Sequence, residues 1–168
     1  MTVYASKPEI NVREKLKELD YGHVPYEKMP AGSIITVSEL ATNSTQIGFS
    51  TTEFAPTGFS TTINKKYPDS KVMIIMSLVA VRKSGDNPPS FEIWRNGSSL
   101  VRTHFGHFDN GGSTTVTGDA TLTYIDDTSG GSTVTYEVYA RTASTATSGF
   151  INVGNWGTST LVALEIKQ

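Results

Sequence analysis

The 168-residue chain contains no cysteine, which excludes disulfide frameworks and any thiolate chemistry. It has no apolar run long enough to cross a bilayer, and its opening MTVYASKPEINVREK has no hydrophobic signal-like core, so a soluble chain is expected. Charge is scarce and nearly balanced, with 14 Lys and Arg against 16 Asp and Glu for a net of −2. That balance gives no reason to expect nucleic acid or a membrane as a partner. Catalytic signatures are also missing: no G-x-S-x-G elbow occurs, and no Gly-rich phosphate loop precedes a helix. Glu92, Glu137 and Glu165 fall on separate predicted strands, so no carboxylate pair of the glycosidase kind is evident. His104, His107 and Asp109 are close in sequence, but residues three apart on an extended chain face opposite ways and no third ligand stands at a recognised spacing. Neither metal, cofactor nor catalytic residues are expected.

What the chain has is threonine and serine. Twenty-three Thr and eighteen Ser stand beside 15 Gly, the composition of half-exposed strands joined by tight turns. Charge is concentrated at the start: residues 1–30 hold ten of the thirty charged side chains. The sequence therefore divides into a charge-rich head, residues 1–32, and a charge-poor β body, residues 33–168. In the head, Ser6 followed by Glu9 fits a capping box with Pro8 in the first turn, which predicts a helix over about 9–20. Its apolar stripe is thin, made of Val12, Leu16 and Leu19 with Ile10 beside it. A dozen residues is marginal for an isolated helix, so these four side chains are expected to dock on a partner or on the body. The linker YGHVPYEKMPAG, residues 21–32, reads as extended.

The body shows strand patterns over 33–40, 45–51, 59–64, 71–82, 90–95, 99–103, 114–125, 133–142 and 160–167, with 41–44 and 54–58 as turns and 143–156 as a long loop with one short strand. Asn96-Gly97 is the clearest hairpin turn, since both positions tolerate positive φ. In the last strand Val162, Leu164 and Ile166 are expected to point inward. Turn signals at roughly ten-residue intervals predict an all-β antiparallel sandwich or jelly roll. The stretch KVMIIMSLVAVR, residues 71–82, is apolar on both faces. A sandwich core covers one face, so the other, with Met73, Ile75, Val79 and Val81, is expected to meet a second copy of the chain, together with Tyr139. Among the aromatics on outward strand positions or in loops, Trp156 in the GNWG turn and Trp94 are candidate glycan-stacking contacts. Packing in the core or between subunits is the alternative for both.

In order, the segments FAPTGFSTTI, SKVMIIMSL, FEIWRNG, LTYIDDTSGGSTVTYEVYA and STLVALEIK resemble the C-terminal fibre domain of tailed bacteriophages, above all cyanophages. The matching positions include Thr57, Gly58, Ile63, Ser70, Lys71, Tyr124, Asp126, Tyr136, Val138, Leu161 and Glu165, within residues 45–168. The head, SKPEINVREKLKELD, resembles the start of cyanophage virion proteins. The resemblance implies a jelly roll related to the C1q and tumour-necrosis-factor folds, a homotrimer, and a place on the virion surface with the head fastened to a capsid or tail structural protein. Fibres of this kind usually carry a long shaft, whereas about thirty residues precede the body here. That departure favours a head fibre, a decoration protein or a short spike, with a receptor-binding tip for host surface polysaccharide as the alternative.

Overall fold

Alternation of β-branched and aromatic residues with Ser and Thr lets one side of a strand join a core while the other stays wet. The computed structural model describes residues 26–84, 89–104, 115–127 and 131–168, and over them this alternation produces a β-sandwich. The strands are β1 (Ile34–Val37), β2 (Ala41–Asn43), β3 (Ile47–Phe49), β4 (Ala55–Asn64), β5 (Lys71–Ser84), β6 (Ser90–Arg95), β7 (Ser98–His104), β8 (Val116–Asp126), β9 (Thr133–Arg141), β10 (Ser148–Ile151) and β11 (Ser159–Ile166). All pairings are antiparallel. The smaller sheet runs β4-β9-β6-β7. In the seven-stranded sheet β5 is central, with β8 along one side and β11 then β10 along the other; β1 and β2 pair with β11, and β3 with β10.

The core lies between the sheets. Val72, Ile74, Met76 and Leu78 of β5 and Leu161 and Ala163 of β11 meet Phe91 and Ile93 of β6 and Val134, Tyr136 and Val138 of β9. The fold class expected from the sequence is the one observed. Asn96 and Gly97 take φ 47° and 82°, the left-handed pair that the β6–β7 hairpin turn needs. Two segments read as turns are strands. Residues 41–43 form β2, and 55–58 belong to β4, where Gly58 at φ 74° lies in a bulge between Pro56 and Phe59. The predicted helix over 9–20 lies outside the described residues.

The largest departure concerns β11. Leu161, Ala163 and Glu165 point into the sandwich and are buried, so Val162, Leu164 and Ile166 face outward, opposite to expectation. The cause is Glu165. Its carboxylate is fully buried and accepts hydrogen bonds from the Lys66 and Tyr67 N–H groups, at 2.9 Å each, and from the Ser70 hydroxyl at 2.6 Å. These bonds satisfy the acid inside the fold and clamp the β4–β5 turn at this end of the sandwich. Nearby, Asp126 is paired with Arg95 at 2.9 Å and accepts the Tyr136 hydroxyl at 2.9 Å. Burial pushes the Lys65 ammonium below the usual lysine range, while Glu165, Asp126 and Asp69 pull it back up. Lys167 closes the same end: its ammonium lies over the Tyr26 ring and donates to the Tyr26 and Met29 carbonyls, so the described chain enters beside Ile166.

Candidate interaction surface

Because side chains alternate along each strand, inward Leu161, Ala163 and Glu165 leave the outer face of the larger sheet to apolar residues. Cross-strand register assembles them into rows. Val37, Leu164, Met73 and Ile125 stand side by side across β1, β11, β5 and β8. One row toward the Glu165 end come Ile34, Ile166 and Lys71; one row the other way come Val162, Ile75 and Thr123. The next row is wholly polar, with Thr42, Thr160, Ser77 and Thr121. From strand and residue spacings the apolar centre spans about 14 Å across the strands and about 14 Å along them. Its most exposed members are Ile34 at 55 %, Val37 at 53 %, Ile125 at 48 % and Ile75 at 36 %. An apolar centre with a Thr, Ser and Lys rim has the anatomy of a protein interface.

A bulge in β5 decides which predicted interface residues belong to this face. Leu78 pairs with Ala120 and Val81 with Gly118, so Val79 and Ala80 together oppose Asp119 alone. Ala80 takes φ 50°, its N–H donating to Asp119 Oδ1 at 2.9 Å. The Val79 N–H donates to Ser159 Oγ at 3.0 Å, and its carbonyl accepts the Asn152 N–H at 3.0 Å. The extra residue reverses face parity. Met73, Ile75 and Val79 keep the outward position read from the sequence, whereas Val81 turns into the core with no exposed surface, which corrects its assignment to the outer face. Ile34, Val37, Ile125 and the outward residues of β11 complete the surface. The sequence did not single out the first three, because only long-range register brings them beside β5.

Tyr139 lies elsewhere, on the outer face of the smaller sheet, stacked on Trp94 with ring centroids 4.0 Å apart and 8° between planes. The Trp94 indole N–H donates to Glu92 at 2.7 Å, and Arg102 Nε donates to the other oxygen of Glu92 at 2.7 Å. Phe54 sits between the guanidinium groups of Arg102 and Arg141, 4.8 and 4.7 Å from its ring centre. This side-chain layer occupies one face of Trp94, whereas Trp156 is 74 % exposed. Ile10, Val12, Leu16 and Leu19 lie outside the described residues. So do His107 and Asp109, and among the described residues no three His, Asp or Glu side chains gather as a metal would need. A groove of about 650 Å³ runs between residues 36–41 and β4, and among the described residues Glu39 is the one titratable group lining it. No helix among the described residues is long and apolar enough to cross a membrane.

No protein-family model matches the chain, and no curated protein does. Among solved structures it is similar to the VP2 subviral particle of infectious bursal disease virus, at 13 % identity over 81 % of this chain and 38 % of that one, with a TM-score of 0.44. It is also similar to the insecticidal delta-endotoxin Cry8Ea1 of Bacillus thuringiensis, at 11 % identity over 73 % of this chain and 20 % of that one, TM-score 0.36. A third is the dimeric latent PorU of Porphyromonas gingivalis, at 9 % identity over 83 % and 14 %, TM-score 0.41. The chain thus spans well under half the length of each of these proteins, and likenesses at this level carry no functional inference.

Proposed function

We propose that this chain is a virion structural protein of a tailed bacteriophage, a homotrimeric head fibre, decoration protein or short spike on the particle surface. Its work is assembly and display, with no reaction catalysed. The observation that carries the reading is the outer face of the larger sheet, where Val37, Leu164, Met73 and Ile125 form an apolar row in which, against the described residues of one copy, Val37 and Ile125 are exposed and Leu164 and Met73 half-buried. A second copy is the occupant: the apolar centre, bordered by Thr and Ser at one edge and by Lys71 at the other, suits burial against an identical sandwich. The ordered segments that resemble phage fibre domains support the same reading and supply the trimer. The head would fasten the trimer to a capsid or tail protein through Ile10, Val12, Leu16 and Leu19. Deletion of residues 2–20 tests this. The truncated protein should remain a folded trimer by sedimentation and circular dichroism, yet be absent from purified particles; incorporation at the level of the full chain would refute the anchor.

A further inference from the structure

Trp156 is the most exposed large apolar side chain among the described residues, and the loop that carries it is built to hold it still. Asn152 and Asn155 take φ 52° and 57°, and Gly154 takes 65°, so three residues of five lie in the left-handed region. Hydrogen bonds hold this conformation. The Asn152 amide donates to the Asn43 and Thr45 carbonyls and accepts the Ser159 hydroxyl at 2.7 Å. Two further amides tie the loop to the β2–β3 connection: Asn155 Oδ1 accepts the Gln46 N–H at 2.9 Å, and Gln46 Oε1 accepts the Gly154 N–H at 3.0 Å. In both, the oxygen is occupied by backbone, which fixes the amide plane. Among the described residues no acceptor meets either NH₂ group.

The indole rests against Gly154, where an added methyl would come within 2.6 Å of Nε1 and 2.8 Å of Cε2. Glycine lets the ring lie against the loop, leaving the rest of its surface to solvent. The two segments that carry Trp156, Gln46 and Asn155, residues 40–52 and 142–164, contain no charged side chain of their own. A held aromatic surface suits the C–H face of a sugar ring, fixed amide donors suit its hydroxyl oxygens, and the absence of charge disfavours an ionic ligand. We propose that Trp156, Gln46 and Asn155 form a binding site for a neutral saccharide ring.

Fluorescence titration tests the proposal. Trp94→Phe leaves Trp156 as the sole indole, and its emission is followed on adding cellotriose and, separately, maltotriose, which present two linkage geometries. A saturable shift with at least one trisaccharide at millimolar concentration is expected. Gln46→Ala in the same background should weaken it by about tenfold through loss of the donor and of the Gly154 tether. In the otherwise natural chain, Trp156→Ala should abolish saturation transfer from protein to sugar in ligand-observed NMR while circular dichroism stays unchanged. No saturable shift with either trisaccharide overturns the proposal. So does an emission maximum that moves with protein concentration in the absence of sugar, because the indole would then be a subunit contact.

Discussion

Glu165 decides, as a single residue, which side of the last strand the core receives. Read by hydropathy alone, Thr160 to Lys167 places Val, Leu and Ile inward and the acid in water. The fold does the reverse, because three hydrogen-bond donors from residues 66–70 converge on the carboxylate. A buried anion so supplied costs less than it would in an empty apolar site, and the strand keeps Leu161 and Ala163 for the core. Those donors lie nearly a hundred residues away in the chain, which is why nothing local announces them. Glu165→Gln replaces one acceptor oxygen with an NH₂ group that must face a donor. It should lower unfolding free energy by about 2–3 kcal/mol in urea with an unchanged slope. The two tryptophans teach a similar lesson. Both read as outward aromatics, but cross-strand pairing stacks Trp94 on Tyr139, and Trp156 alone stands clear.

At the scale of elements, the strands were legible where alternation is strict. β6 and β9 match the expected faces, with Phe91, Ile93, Val134, Tyr136, Val138 and Ala140 buried, and the Asn96-Gly97 turn takes the backbone its residues favour. β5 was legible as the doubly apolar central strand, but its bulge was not. No glycine or proline marks residues 78–81, and Ala80 adopts a left-handed φ that its type rarely accepts. The device that holds it comes from β8, since Asp119 accepts the Ala80 N–H. Asp119→Ala should therefore cost about 1–2 kcal/mol, read from chemical denaturation. No loss of stability would mean that the bulge stands without its acceptor.

For the whole molecule, the consequence of Glu165 and of the bulge is one surface. Glu165 turns Val162, Leu164 and Ile166 outward beside Met73 and Ile75 of β5, Ile125 of β8 and Val37 of β1, and the bulge ends the outward apolar run of β5 at Val79. The sequence supports half of this: a strand greasy on both faces must be covered twice. The contributions of Ile34, Val37, Ile125 and the outward side of β11 depend on register, which no local pattern specifies. With Tyr26 held by Lys167 beside Ile166, the described part of the head, from residue 26 on, joins the body at the rim of this surface. Sedimentation velocity of the full chain beside Ile75→Asp tests the central claim most directly. A natural chain that sediments as a trimer and a folded variant that sediments as a monomer are the predicted results. A natural chain that is monomeric, or a charged variant that remains a trimer, would contradict the account.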